Sequence, residues 1–359
     1  MIYLLPIEPL EERYSEQWYR WFPEVLEERG ARFTVIDGEP LTDTVETGTF
    51  LDVNSTLHYK ATQLQRVAKL FYENKIQPDD VFFVADIEFW GIESIRYLSV
   101  LNGIDVKIYG FAHAGSYTRE DFMEPCAPFA RWYEVGWGAI CDLIMVGSEY
   151  HKKQLIDNRG ISENKILVTG NPYKSSEVCE GARWFPGAEK KKLVVHTNRP
   201  DPEKRPEHTL DAFAWLHRQH PDWEFAVTTS RKMWAGGPLR NRAKRYEQEG
   251  WLTVYEGLSK KEYLKILSEA QVMTGNSIEE NFGYCILEAL IFDTIPIVED
   301  AYSHSELLCG EERCLFTTRP HQLELIEQAM AVPFPVRQMA SRYDDSLQGI
   351  CDVLVEGTL

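Results

Sequence analysis

The sequence lacks several features that would assign it to a common class of protein. Its seven cysteines are scattered, odd in number and without a C-x-x-C pair, so we expect a reducing compartment and no structural zinc site. No apolar run reaches the ~18 residues that a membrane span needs. No G-x-G-x-x-G motif follows the predicted first strand of either half, which argues against a dinucleotide-dependent dehydrogenase. No D-x-D pair ends a predicted strand, so we also expect no metal site.

Positive charge is scarce as well. The chain has 38 Lys and Arg against 56 Asp and Glu, a formal net charge of −18, which disfavours anionic membranes and nucleic acid. One local exception is the basic segment Arg231 to Arg245, which has six cations, no acid and Trp234 among them. Such a segment can follow a phosphate backbone. The alternative is a solvated loop and helix face that offsets an acidic protein.

The length of the chain predicts more than one domain, because 359 residues exceed what one typical core accommodates. Short apolar runs alternate with amphipathic helical patterns along the whole chain, which is typical of α/β proteins with parallel sheets. We predict a first domain over residues 1–172, a linker over 173–190 and a second domain over 191–338. Residues 339–359 are predicted to form a C-terminal helix.

The most informative stretch is residues 276–290, which lies between two short apolar runs that are typical of buried parallel strands. A helix is predicted from about Phe282, and Glu280 comes just before it, where free N–H groups and the helix dipole favour an anion such as phosphate. Glu288 is an acid inside an apolar helix, roughly 9 Å along its axis, and a lone buried carboxylate needs a partner. A nucleotide sugar fits this length, with its diphosphate at the helix start, its ribose near Glu288 and its sugar near Glu280. The alternative is an ordinary helix whose Glu288 reaches solvent.

Glu280-x7-Glu288, with Phe282-Gly283 inside it, resembles the signature of retaining glycosyltransferases of family 4 (group 1), which have the GT-B fold. The chain departs from the family pattern at Asn281, where Pro is usual, and has Asp293 or Thr294 where Gly is usual. The resemblance implies an α/β protein with two Rossmann-like domains facing a central cleft. It also implies that the C-terminal helix crosses back to the first domain.

The resemblance further implies roles for particular residues. Arg199 and Lys204, five positions apart, match the pair that neutralises the diphosphate leaving group, and such fixed cations are large catalytic terms. His113, at the end of a predicted strand, matches a histidine that contacts the donor sugar; its alternative is a structural role in the loop. The implied catalytic residues are Glu280, His113, Arg199 and Lys204. The implied donor-binding residues are Glu288, Asn281, Phe282, Gly283 and Tyr284.

Acceptor residues are predicted from their place in the sheet, because ligands gather at the carboxyl ends of strands in open α/β folds. Two acids follow one predicted strand, two loop residues follow the strand that ends at His113, and one tryptophan lies in the basic segment. These predicted acceptor residues are Asp86, Glu88, Ser116, Tyr117 and Trp234.

The predicted function is therefore retaining transfer of a sugar from a nucleotide-diphosphate sugar, with a UDP-sugar expected, to a hydroxyl acceptor. We expect no metal and no other cofactor, no membrane span, and a cytoplasmic location, which is the host cytoplasm if the chain is phage-encoded. One acceptor hypothesis is a hydroxymethylated pyrimidine base in phage DNA, bound through the basic segment and flipped into a deep pocket. It also draws on a resemblance of the N-terminal half to phage-encoded glycosyltransferases. The alternatives are a saccharide or small-molecule acceptor, or a non-catalytic protein that binds a nucleotide sugar.

Overall fold

The structure is a computed structural model that describes residues 1–10, 13–41, 52–88, 91–121, 123–198, 202–229, 237–344 and 346–357. The chain forms two compact units, residues 1–173 with 345–359 and residues 174–344. Each unit has one six-stranded sheet, and every strand pairing in the described part of the chain is parallel. The predicted α/β class with two Rossmann-like units is confirmed.

The first unit has the strand order β2-β1-β3-β4-β5-β6. Its strands are β1 (Ile2–Leu5), β2 (Phe33–Val35), β3 (Val81–Val84), β4 (Lys107–Ala112), β5 (Leu143–Val146) and β6 (Ile166–Val168). Its helices, numbered along the whole chain, are α1 (Tyr14–Glu28), α2 (Val53–Tyr72), α3 (Glu93–Asn102), α4 (Ala127–Ile140), α5 (Glu149–Arg159) and α13 (Ser346–Glu356). The central strands are apolar on both faces because helices cover both sides of a parallel sheet. Phe82, Ile108 and Ile144 are fully buried between those layers.

The second unit has the strand order β12-β11-β10-β7-β8-β9. Its strands are β7 (Lys191–His196), β8 (Glu224–Thr229), β9 (Leu252–Glu256), β10 (Ala270–Thr274), β11 (Ile295–Glu299) and β12 (Leu315–Phe316). Its helices are α6 (Ser175–Ala182), α7 (Pro206–Gln219), α8 (Pro238–Gln248), α9 (Lys260–Glu269), α10 (Tyr284–Ile291), α11 (His304–Leu307) and α12 (Arg319–Ala331). Among the residues that the structure describes, no helix is long and apolar enough to cross a membrane.

The segment predicted as a linker, residues 173–190, contains α6, which packs against α9. The reason lies in its apolar side chains. Val178 and Ala182 are buried, and Trp184 packs edge-on against Phe292, with 5.7 Å between ring centroids. From Lys174 onward the segment is therefore part of the second unit rather than a free connection.

The C-terminal helix begins later than predicted. Residues 337–343 form a 3-10 helix in the second unit, whose start is held by the Asp293 carboxylate accepting the backbone N–H of Arg337 at 2.8 Å. Helix α13 begins at Ser346 and belongs to the first unit, where Arg29 donates to Asp352 at 2.7 Å. Ser346 there donates to the Asn171 carbonyl at 2.8 Å.

Helix α2 begins at Val53 because the Asp52 carboxylate accepts the backbone N–H groups of Asn54 and Ser55. That cap satisfies donors that would otherwise lack partners at a helix start. Residues 42–51 lie outside the described part of the chain.

Candidate functional site

The first candidate site lies at the carboxyl edge of the second sheet, where β7 and β10 are neighbours. The loops that follow these strands are joined, since the Ile278 N–H donates to the Glu203 carbonyl at 2.9 Å. This brings Lys204 to Glu280, with 3.0 Å between the ammonium and the carboxylate. Two predicted catalytic residues that are 76 positions apart therefore form an ion pair.

Helix α10 starts beside this ion pair. Gly283 occupies its N-cap position with φ of 88° and makes no side-chain cap, and that left-handed conformation favours glycine. A Cβ on Gly283 would also lie 3.4 Å from Cγ of Glu280. The Ser303 hydroxyl fixes the turn by donating to the carbonyls of Glu280 and Phe282 at 2.9 and 3.1 Å. The arrangement presents a helix start and a lysine side by side, which suits an anionic group.

Glu288 is buried and does not reach solvent. Its carboxylate forms an ion pair with Lys260 and accepts a hydrogen bond from the Tyr263 hydroxyl at 2.8 Å. Both partners lie on α9. The buried acid predicted to need a partner therefore has two, and neither partner was predicted from the sequence.

The other residues predicted to bind the donor lie at the same turn. Asn281 and Phe282 are buried. The Phe282 ring packs edge-on against Tyr284 and Tyr343, with 5.4 Å between centroids in both cases. Phe282 thus contributes packing that shapes the turn before α10.

A buried histidine ends β7 at the same edge. His196 Nδ1 lies 3.0 Å from the Thr274 carbonyl and 3.2 Å from the Thr209 hydroxyl. Its Nε2 is buried without a hydrogen-bond partner among the described residues. Burial lowers the pKa of His196 to about 4, so the ring is neutral at neutral pH and contributes no charge to the site.

Part of the predicted basic surface is visible in α8, and its arginines are paired with acids. Arg240 lies 3.1 Å from Glu256, Arg242 bonds to Asp211, and Arg245 lies 3.6 Å from Glu249. These pairs cancel much of the positive charge that the segment shows in sequence. Lys244 of the same helix is exposed. Arg231, Lys232 and Trp234 lie outside the described residues, and so does Arg199.

The second candidate site lies in the first unit, at the carboxyl ends of β3 and β4. Asp86 follows β3 and accepts a hydrogen bond from the ammonium of Lys60 at 2.5 Å. Glu88 accepts the backbone N–H of Ala114 at 2.5 Å. His113 Nε2 lies 2.8 Å from the carbonyl of Ala85, the last residue before Asp86. The structure thus brings together three predicted residues, Asp86, Glu88 and His113.

The two acids in this site have different protonation behaviour. Burial, together with Asp86 and Asp121, raises the pKa of Glu88 well above its usual value. Burial alone would also raise the pKa of Asp86, but the Lys60 ammonium and His113 hold it below its usual range. Burial lowers the pKa of His113. At neutral pH this edge therefore carries an ionised Asp86 and a neutral His113.

The loop with Ser116 and Tyr117 is held by a buried network that sequence analysis missed. The Glu134 carboxylate accepts the Ser116 N–H and hydroxyl at 2.7 and 2.8 Å, and it accepts the Arg159 guanidinium at 2.6 Å. The Tyr117 hydroxyl lies 2.7 Å from Nε2 of His151. Ser116 and Tyr117 are thus tied to α4 and α5.

A sequence signal for Glu134 existed. Glu134 is the one acid in the apolar, aromatic-rich helix α4, as Glu288 is in α10. A lone buried carboxylate needs a partner in either helix. No comparable signal existed for Lys60 or Lys260, because lysines are common on exposed helix faces.

Comparisons with known proteins agree with this architecture. Residues 181–342 match the family model described as glycosyl transferases group 1. No curated protein matches the sequence. Many solved structures share the fold. One is α,α-trehalose 6-phosphate synthase from Burkholderia multivorans, with a TM-score of 0.67 at 13% identity over 99% of this chain and 96% of that one.

Two further structures are similar over nearly the whole chain. Sucrose-phosphate synthase from Thermosynechococcus elongatus has a TM-score of 0.62 at 15% identity, covering 98% of this chain and 95% of that one. HepE from Anabaena, in complex with UDP and glucose, has a TM-score of 0.58 at 14% identity, covering 98% and 94%. At these identities the likeness concerns the fold. The chain thus has the fold of these solved structures, and residues 181–342 match the model of glycosyl transferases group 1.

Proposed function

We propose that this protein transfers a sugar from a nucleotide-diphosphate sugar to a hydroxyl acceptor with retention of anomeric configuration. The observation that carries the proposal is the Lys204–Glu280 ion pair, 3.0 Å long, beside the uncapped start of α10. An anion at that helix start meets a fixed cation and a helix dipole together. A leaving diphosphate is the anion that group 1 chemistry requires there.

In the proposed reaction, the bond between the anomeric carbon and the diphosphate oxygen breaks, and its electron pair leaves with the diphosphate. Lys204, Arg199 and the start of α10 neutralise the developing charge, which is where fixed electrostatic groups act most strongly. The acceptor oxygen bonds to the anomeric carbon on the face that the diphosphate leaves, and the hydroxyl proton departs with the diphosphate. Glu280 orients the sugar hydroxyls, and His113 is proposed to contact the donor sugar.

A UDP-sugar is the proposed donor, supported by the fold likeness to a protein whose structure holds UDP and glucose. Glu288 is proposed to bind the ribose. The reaction as proposed requires no metal ion because lysine and arginine side chains carry the compensating charge. All seven cysteines are free thiols, which supports a reducing, cytoplasmic location.

For the acceptor, the described residues favour a saccharide or small molecule over DNA. Asp86 and Glu88 are acids at a strand end in the first unit, and carboxyl groups hydrogen-bond to hydroxyl groups. The α8 arginines are already paired with acids. The residues proposed to contact the acceptor in the first unit are Asp86, Glu88, Ser116 and Tyr117.

The donor is identified by a thermal-shift screen of nucleotide sugars, since a ligand at 100 times its Kd stabilises the folded state by about 2.7 kcal/mol. With that donor, release of nucleoside diphosphate measures turnover, and NMR of the product gives the anomeric configuration. An inverted product would overturn the proposed retention.

Glu280→Ala separates a transferase from a non-catalytic binder. We expect the variant to lose transfer and donor hydrolysis, while Glu312→Ala, at an exposed acid far along the chain, keeps both. If Glu280→Ala hydrolyses and transfers at the original rate, Glu280 does not belong to the active site.

Binding to hydroxymethylated and plain duplex DNA at low salt tests the nucleic-acid acceptor. Phosphate contacts strengthen as salt falls, so a DNA-modifying enzyme should bind duplex measurably under those conditions. We expect no binding to either duplex. Selective binding to the hydroxymethylated duplex would instead establish the DNA acceptor.

A further inference from the structure

Lys260 and Tyr263 on α9 and Glu288 on α10 form a cluster, which we call the Lys260 cluster. The Glu288 carboxylate is ion-paired with Lys260 and accepts a hydrogen bond from Tyr263 at 2.8 Å. The Lys260 ammonium also lies 5.0 Å from the centre of the Tyr263 ring. The side chain of Glu288 is 3% exposed and that of Lys260 is 28% exposed, so Lys260 is the more accessible member of the ion pair.

The first turn of α9 holds Lys260 in a defined place. Ser259 and Glu262 form a reciprocal capping box at the start of this helix, which fixes the direction of its first turn. Lys260 and Tyr263 are three positions apart, so they share a face of the helix. The first turn of α9 therefore presents Lys260 and Tyr263 on one face of the helix.

Stability is a weak explanation for such a cluster. Removing a carboxylate such as that of Glu288 from water carries a free-energy penalty, and an apolar pair of similar volume often stabilises a fold as well or better. The position of the cluster points to a ligand instead. Glu288 lies five residues beyond Gly283, or roughly 7.5 Å along α10, which is comparable to the separation of a diphosphate from the hydroxyls of its ribose.

We propose that Lys260 is a specificity-determining residue that recognises a ribose diol together with Glu288. A hydroxyl group both donates and accepts, so one hydroxyl can donate to the Glu288 carboxylate while the other accepts from the ammonium. An ammonium has three N–H donors, which lets Lys260 hold Glu288 and a hydroxyl oxygen at once. The site then selects ribonucleoside diphosphates over their deoxy counterparts. This inference rests on the proposed donor site.

Calorimetric titration tests it with nucleoside diphosphates as probes: UDP, GDP and ADP, each with its 2′-deoxy and 3′-deoxy form. For the ribonucleotide that binds the original protein, we expect at least one deoxy form to bind about tenfold more weakly, the effect of losing one hydrogen bond to a charged group. In Lys260→Met that ratio should fall to about twofold or less. Lys261→Met, an exposed neighbour with the same change of charge, should keep the original ratio.

The outcomes separate this inference from the proposed function. If Lys260→Met weakens the ribo and deoxy forms by the same factor, Lys260 only supports Glu288 and the inference is overturned, while the donor site stands. If the original protein binds none of the diphosphates, the proposed function itself fails. Should Lys260→Met not fold, Lys260→Ala, which also removes every donor of this side chain, carries the same comparison.

Discussion

The two units share a six-stranded parallel sheet but differ in the charge at its carboxyl edge. In the second unit, Lys204 and an uncapped helix start surround Glu280. In the first unit, Asp86 and Glu88 lie together, and Lys60 bonds to Asp86. The fold supplies the carboxyl edge of the sheet in both units, and a few side chains decide which ligand that edge can bind. One edge suits an anion, and the other suits neutral hydroxyl groups.

The largest expected effect concerns the Glu134–Arg159 pair, which holds the loop with Ser116 in the first unit. Both side chains are at most 7% exposed, and Arg159→Met leaves an unpaired buried carboxylate, which typically costs about 3–5 kcal/mol. Chemical denaturation measures the change in the free energy of unfolding. Arg245→Met removes an exposed pair with Glu249 and should cost no more than about 1 kcal/mol. Equal losses in both variants would show that the buried network does not support the first unit's edge.

The next largest effect concerns the anion-binding edge of the second unit. Lys204→Met should lower kcat/KM by about 10²–10³-fold, because one fixed donor to developing charge is worth that much. Initial rates with the donor found by screening measure it. Lys191→Met changes a lysine on β7 whose side chain is 59% exposed, and we expect it to leave the rate unchanged. A fall of less than threefold for Lys204→Met would remove this lysine from leaving-group stabilisation.

A smaller effect is the pH dependence of stability, which should differ in sign between the two units. In the first unit it comes from Glu88. Its folded-state pKa is raised well above 4.5, the ordinary value. The unfolded chain therefore releases this proton first, and the contribution of Glu88 to stability is lost as pH rises through the folded pKa. Glu88→Gln does not titrate. The stability of the original protein relative to this variant, measured by denaturation at each pH, should fall as pH rises above about 4.5. A stability difference that stays constant with pH would mean that the pKa of Glu88 is not raised.

In the second unit, Lys190 should make stability change with pH in the opposite direction, by a comparable or smaller amount. Burial lowers its pKa to about 7, while its ordinary value is 10.5. Between these values the unfolded chain binds more protons than the folded protein, so the contribution of Lys190 to stability rises with pH. Denaturation of the original protein and Lys190→Met across this range should give a stability difference that grows with pH. A difference that shrinks would contradict the burial of this ammonium.

Much of the fold was predictable because local patterns and tertiary structure agree. Apolar runs such as those of β10 and β11 lie where parallel strands were predicted, and Ser259 caps α9 as its sequence indicates. Predictions differed from the structure where long-range contacts determine the conformation of a segment. The segment with Trp184 was read as a linker because its proline and glycine dominate locally, but its apolar residues pack on the second unit.

The candidate site was predictable only in part. Glu280 and Glu288 attract notice because acids beside or inside an apolar helix need an explanation. Their partners Lys204 and Lys260 lie 76 and 28 positions away, and one sequence contains no record of such pairings. The family resemblance implied a role for Lys204 at the donor diphosphate, whereas nothing in the sequence indicated a role for Lys260.

Hydrophobic periodicity, which acts over a few residues, is enough to indicate the α/β class, and the family resemblance implied the two Rossmann-like units. Only the tertiary structure decided which charges meet. It joined Lys204 to Glu280, Lys260 to Glu288 and Arg159 to Glu134. Such pairs form because a carboxylate that the fold removes from water must find a compensating group, wherever that group lies along the chain.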